Sequence, residues 1–398
     1  MMLGQAESLL LVAAAAAVLP LAANALRLPA VILEILFGVL IGKSFLHVRF
    51  SGDWLPFLAQ LGFLLLMFQA GMELDFTMLR KQGPGRLVLH LAIFCATLGL
   101  AFASADMLGQ GAFMALVLST TSLGLVVPTL KETGTSRTPF GQSVIIAATF
   151  ADFLTLLGIT LFVLWWDNGF SAHMLRPLPF FVGFGLILRA CRLWAWWNPD
   201  KARRLLGQED SQELGVRFSL VLLFLFVALS ELAHLEPVLG AFLGGATLSF
   251  VFRERFHLET KLSGIAYGFL IPIFFIHVGM GFDLGNVLGG GYVLLTLKLL
   301  VVAVAVKLLP ALLLALTGAP PRSVMAAGML LSSRLSLVIA AASIGLEHGF
   351  ITPALKDAIV LLAIITCLAG PTAFRAIQAG GPPPRGPGNA PRNGAPPQ

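Results

Sequence analysis

Asp152 is the only charged residue between Val144 and Trp166, and it sits near the middle of that apolar run. A stretch of this length is long enough to cross a bilayer. An ionised carboxylate at that depth costs at least about 2.5 kcal/mol on insertion scales, so a chain seldom carries one without using it. In the preceding apolar stretch, Ser119, Thr120, Thr121 and Ser122 form a polar run that can loosen a helix and turn backbone oxygens toward an ion. Thr120, Thr121 and Ser122 are the candidate ligands beside Asp152. A third apolar stretch holds Lys298 and Lys307. Nine residues are two and a half helical turns, so the two lysines point to opposite sides and only one faces the interior. Lys307 is taken as the charge partner of Asp152, pairing with it when no ion is bound. Carboxylate, hydroxyl and carbonyl oxygens together suit Na⁺, Li⁺ or K⁺. The chemistry is competition: a cation needs the carboxylate ionised, and a proton neutralises it.

These residues need a membrane around them, and composition supplies it. The chain is 57% hydrophobic and 12% charged over 398 residues, against about 25% charged in soluble domains. Its net charge of +6 therefore says little about nucleic acid. Cys95, Cys191 and Cys367 lie in or beside apolar spans and have no metal or disulfide spacing. The N-terminus lacks a basic segment ahead of its apolar stretch, so the first segment reads as a retained span.

Runs of about twenty apolar residues predict an all-α polytopic protein of about thirteen spans. They lie near 5 to 25, 28 to 46, 54 to 74, 84 to 105, 110 to 130, 141 to 166, 175 to 194, 214 to 234, 236 to 252, 263 to 281, 290 to 316, 322 to 345 and 352 to 376. With that count, 19 Lys and Arg fall in or beside loops after odd-numbered spans or in the C-terminal tail, and 4 in loops after even-numbered ones. The bias predicts a multi-pass protein of the cell membrane with its N-terminus outside and C-terminus cytoplasmic.

The chain also repeats itself. Leu28-Pro29-Ala30-Val31 through Gly38 matches Leu235-Glu236-Pro237-Val238 through Gly245 at an offset of 207, and Ala70-Gly71-Met72 echoes Val278-Gly279-Met280 at 208. That shift carries each span seven positions on. Seven is odd, so the two repeats, about 5–166 and 214–376, must be inverted, with 175–194 as a linker span. The same shift carries the Ser119–Ser122 run onto a second polar break, Ser332, Ser333 and Arg334, in the twelfth span. Two interrupted helices in symmetric positions point to a binding site near the bilayer midplane.

The stretches LPAVILEILFGVLIG, LLLMFQAGMELD, FLIPIFFIHVGMGFDL and LSLVIAAASIGLEHGFITPAL resemble the membrane domain of Kef-type and related sodium/proton exchangers, the second family of monovalent cation:proton antiporters. The similarity runs from about residue 5 to 376. It implies a secondary antiporter working by alternating access, built as a homodimer from a panel part and a mobile core part, with two discontinuous helices crossing in the core. Residue by residue, it implies that Asp152 is the ion- and proton-binding aspartate and Lys307 the core lysine. Two positions depart from the pattern: Ala151 stands where the family carries a second polar residue, and Arg334 where a glutamate is common. The added cation keeps an organic-anion carrier or symporter on the same scaffold as the alternative. No pair of catalytic groups at motif spacing is present, so no enzyme is expected.

Glu34 and His277 read as packing residues, and Glu73, Asp75 and Asp283 as span-end groups within reach of water, none of them primary ligands. Arg334 has a second reading, as the neutraliser of a half-helix end. Residues 195–213 read as a cytoplasmic connector with interfacial tryptophans. The tail 377–398, rich in Pro and Gly, is expected to be disordered. It carries no GxGxxG, so no dinucleotide cofactor is expected.

Overall fold

The computed structural model describes all residues except Met1, Arg27, Asp53, 75–82, 170–176, 199–212, 252–255, 289–291 and 380–398. The Pro/Gly-rich tail beyond Ala379, most of the connector and Asp75 therefore lie outside the described residues.

Among the described residues the regular structure is helical, apart from a two-residue parallel bridge of Met2–Leu3 with Arg49–Phe50. Its helices are α1 (Gln5–Leu26), α2 (Ala30–Ile41), α3 (Trp54–Met72), α4 (Pro84–Met107), α5 (Ala112–Ser119), α6 (Leu123–Glu132), α7 (Pro139–Asn168), α8 (Pro177–Trp197), α9 (Leu214–Leu232), α10 (Pro237–Val251), α11 (Phe256–Ile265), α12 (Ile271–Gly281), α13 (Leu284–Leu288), α14 (Tyr292–Ala311), α15 (Pro321–Leu331), α16 (Ser336–Glu347) and α17 (Pro353–Ala379). A π-helical turn, Ala266–Leu270, joins α11 to α12, and a 3₁₀ turn, Leu312–Thr317, extends α14. Sequence punctuation sets many of the ends. Pro84, Pro139, Pro177, Pro237, Pro321 and Pro353 each stand at a helix start, where the missing N–H has no intrahelical partner to lose. Thr138 adds a side-chain cap, its Oγ1 accepting from Gly141 N at 3.1 Å.

Among the described residues, ten helical stretches are long and apolar enough to cross a membrane, and the pair α15 and α16, bent by 41°, makes an eleventh. The other two expected spans are the shorter apolar helices α2 and α10. A count of thirteen complete crossings thus turns on these two.

The helices pack as two bundles. In one, α4 to α7 pack with α14 to α17; in the other, α2 packs on α12, α3 on α10 and α12, and α9 on α10. The second bundle carries the repeat in its contacts. A Cβ on Gly38 would run into the carbonyl oxygen of Ile276, and one on Gly245 into that of Phe68; likewise Gly279 abuts Ile35 O and Gly71 abuts Phe242 O. Gly38 and Gly245, Gly71 and Gly279, Ile35 and Phe242, and Phe68 and Ile276 are the pairs that the offsets of 207 and 208 equate. The α2–α12 and α3–α10 crossings are therefore the same backbone-on-backbone contact made twice, and small residues permit that approach without lipid or water between.

Among the described residues, several connections touch one another. Ser44 Oγ donates to Phe282 O at 2.8 Å, and His348 lies between Asp167 and Glu236. Arg375 pairs with Glu132 at 2.7 Å, and Lys261 with Glu213 at 3.0 Å. No contact among these joins a connection read as outside to one read as cytoplasmic.

Candidate cation and proton site

The first bundle is organised around the two broken helices. Between α5 and α6 the chain leaves helical geometry at Thr120, Thr121 and Ser122, all buried. Between α15 and α16 it does so at Ser333, Arg334 and Leu335, with Ser332 closing the end of α15. Each break ends one half-helix and starts another, leaving carbonyls without partners on one side and N–H groups on the other.

The carbonyl end of α5 is met by two cations. Lys307 Nζ, on α14, donates to Ser119 O and to Thr121 Oγ1, both at 2.6 Å. Arg334 Nη2 donates to Leu118 O at 2.6 Å and to Ala303 O at 2.9 Å, its Nε to Thr120 O at 3.2 Å, and its Nη1 reaches Ser332 O at 3.5 Å. The guanidinium thus ties both breaks and α14 together, and its charge opposes the negative end of a half-helix. The second reading of Arg334, as a neutraliser, is the one the geometry takes.

The N–H end of α6 is met by the carboxylate. Asp152, on α7, accepts from Leu123 N at 3.1 Å through Oδ2. Its other oxygen, Oδ1, is buried and has no hydrogen-bond partner. One oxygen is positioned by backbone, and the other is free to take a ligand. Thr155, one turn further along α7, shares the site, its Oγ1 lying 3.3 Å from Ser119 Oγ.

The structure corrects one expectation directly. Among the described residues, Lys307 makes no ion pair or hydrogen bond with Asp152; its ammonium is taken up by the Ser119 carbonyl at the α5 end and the Thr121 hydroxyl. The two charges still act on each other at longer range. The choice between lysines holds, with Lys307 only 4% exposed and Lys298 facing outward. Of the hydroxyls, Thr120 Oγ1 turns back to Val117 O at 2.8 Å, Thr121 is held by Lys307, and Ser122 makes no capping bond. In the second break Ser332 Oγ returns to Met329 O at 2.6 Å, while Ser333 Oγ has no partner.

Sequence reading missed Ser119 and Thr155 as members of the site. Thr149, Asp152 and Thr155 recur every third residue along one face of α7, a polar stripe visible in the sequence. Glu73, read as a span-end acid, is half-buried, with its Oε2 enclosed and without a hydrogen-bond partner.

With this geometry in hand, likeness to known proteins becomes informative. Residues 10–378 match the profile of the family described as "Sodium/hydrogen exchanger, transmembrane". The chain is 33% identical over 371 residues to the "Putative Na(+)/H(+) antiporter YjbQ" of Bacillus subtilis (strain 168), covering 88% of this chain and 59% of that protein. It is 28% identical over 353 residues to the "Na(+)/H(+)-K(+) antiporter GerN" of Bacillus cereus, covering 86% and 88% respectively. The chain thus spans under two thirds of the first relative and most of the second. Among solved structures, the sodium proton antiporter MjNhaP1 from Methanocaldococcus jannaschii superposes with a TM-score of 0.66 at 13% identity, over 94% of this chain and 96% of that one, a likeness of fold.

Proposed function

Because the chain belongs to the sodium/hydrogen exchanger family, we propose that it exchanges a monovalent cation for protons by alternating access, with both competing for Asp152. The observation that carries this reading is the buried, partnerless Oδ1 of Asp152 beside an Oδ2 fixed by Leu123 N–H. A proton on the carboxyl and a cation against the carboxylate exclude one another, so one site turning between the two membrane faces couples their opposite flows. Ser119, Thr121, Ser122 and Thr155 offer further oxygens around the same point.

Na⁺ is the first cation to test, since the two relatives described above are named Na⁺/H⁺ and Na⁺/H⁺-K⁺ antiporters. The rival reading, an organic-anion carrier, needs free positive charge in the site. Lys307 and Arg334 direct theirs at backbone carbonyls of α5 instead.

The finer claims belong to the same proposal. The protein is a homodimer in the cell membrane, with the N-terminus outside, the C-terminus cytoplasmic, thirteen spans and two inverted repeats. Support for the topology comes from the charge bias, the matched loop contacts and the doubled glycine crossings, and for the dimer from the family resemblance alone. The deciding assay is flux in proteoliposomes carrying an internal pH dye, with Na⁺, K⁺ or Li⁺ added in turn. Proton movement driven by at least one of them is expected; uptake of labelled organic anions with no cation-driven pH change would overturn the reading. Cysteine labelling tests orientation: in a cysteine-free background, Glu213→Cys should label only from the cytoplasm and Asp106→Cys only from outside.

A further inference from the structure

Among the described residues only two buried carboxylate oxygens lack a hydrogen-bond partner, Asp152 Oδ1 and Glu73 Oε2. They belong to different bundles. Asp152 lies on α7, and Glu73 follows directly on α3, at the end where the cytoplasmic connections gather. The Glu73 carboxylate interacts electrostatically with Asp152 and with Lys131, at the end of α6, on one side, and with Glu259 of α11 and Tyr267 of the π-helical turn on the other. It therefore stands at the seam between the bundles.

The local structure holds it there. One turn earlier, Gln69 Nε2 donates to Ser263 Oγ of α11 at 3.3 Å, and one residue later the Ser249 hydroxyl of α10 donates to Leu74 O. The Gln69 side chain and the Leu74 carbonyl thus tie the chain on either side of Glu73 to α11 and α10, while its carboxylate interacts with charged groups of both bundles. The π-helical turn beside it shifts the register of the α11–α12 span, a device found often at functional sites. A buried carboxylate with an unpaired oxygen is expensive unless something occupies it. Two carboxylates that repel one another each hold a cation or a proton more readily than either would alone.

We propose that Glu73 is a second cation and proton site on the cytoplasmic side of Asp152, passing the monovalent cation and the proton between water and the central carboxylate. The inference rests on the exchanger reading given above. It assigns to Glu73 a handover role: the fixed bundle holds this carboxylate, the other carries Asp152, and the ion moves between them when the site faces inward.

The test uses the full-length protein in proteoliposomes with an internal pH dye, titrated with NaCl, KCl or LiCl, taking the salt that drives wild-type exchange fastest. Glu73→Gln should still exchange, with the apparent KM for that cation raised about tenfold, as expected for loss of one charge-assisted contact, and with kcat nearly unchanged. Asp152→Asn measured alongside should abolish exchange. If Glu73→Gln has the wild-type KM while Asp152→Asn is inactive, the handover role falls and the exchanger reading stands. If Asp152→Asn exchanges normally, the exchanger reading itself falls. A drop in kcat at constant KM would also overturn the proposal, since it marks a merely structural role. Should Glu73→Gln fail to purify as folded protein, Glu73→Asp decides: drawing the carboxylate back by one methylene should raise the KM measurably, and a wild-type KM would overturn the assignment.

Discussion

Arg334 Nη2 stands 2.6 Å from the carbonyl oxygen of Leu118, so a side chain from the second helix break closes the end of the first half-helix. Arg334 is fully buried and donates to four carbonyls. Replacing it with methionine relieves the burial of a charge but leaves several acceptors empty at once, and each abandoned acceptor costs about 1 to 3 kcal/mol. Arg334→Met should lower the thermal midpoint of the detergent-solubilised protein strongly. Arg334→Lys, which keeps the charge but not the planar fork, should fall in between.

Lys307 serves the same helix end from α14, bridging Ser119 O and Thr121 Oγ1. Lys307→Gln keeps a donor but removes the charge behind both of these bonds, and hydrogen bonds to a charged group contribute about 1.5 to 3 kcal/mol each. Its thermal midpoint should drop, while Lys298→Gln, on the outward face, should match wild type. A response to Lys298 alone would mean that the α14 register is wrong.

The doubled glycine crossings predict paired outcomes. Gly38→Ala and Gly245→Ala each force a methyl against a carbonyl oxygen of the partner helix, and overpacking of this kind costs about 1 to 3 kcal/mol or more. The two should destabilise alike, because they occupy the same place in the two repeats. Gly99→Ala, in α4 with nothing nearby, should be neutral or stabilising. Thermal melts of the three variants check this; a large difference between the first two would break the equivalence.

Outside the spans, Glu236 sits in the turn between α9 and α10, with His348 Nε2 at 3.4 Å. Burial pushes its carboxyl above the usual range, and His348 opposes the shift only in part. The folded protein therefore holds this proton more tightly than the unfolded chain does. That contribution is fully present below the unfolded pKa and is lost as pH rises through the folded one. Relative to wild type, Glu236→Gln should gain thermal stability as pH rises from 4 to 8. A relative loss over that window would show that the ion pair with His348 dominates.

Much of this was legible in the sequence. A lone carboxylate in an apolar span announced Asp152, the Ser119–Ser122 run announced the first break, and helical periodicity put Lys307 and Lys298 on opposite sides, the resemblance choosing between them. The repeat at offsets of 207 and 208 was visible, but that its glycines make two equivalent helix crossings became visible only in the contacts. What stayed hidden depends on backbone groups and on distance along the chain. The partners of Asp152, Lys307 and Arg334 are Leu123 N, Ser119 O and Leu118 O, and backbone atoms leave no residue-type signal. Arg334 could be seen as an anomaly, but its reach to Leu118 across more than two hundred residues could not. Glu73 looked like a span-end acid because hydropathy ranks it as such, while the enclosure of its Oε2 depends on the tertiary fold.

The central claim is that Asp152 takes the cation and the proton by turns. Proteoliposomes carrying Asp152→Asn, an almost isosteric change, test it most directly when compared with wild type for cation-driven proton movement under an imposed Na⁺, K⁺ or Li⁺ gradient. The variant should purify as folded protein and move no protons in response to any of the three cations. Exchange at the wild-type rate would contradict the assignment of Asp152 and the mechanism built on it.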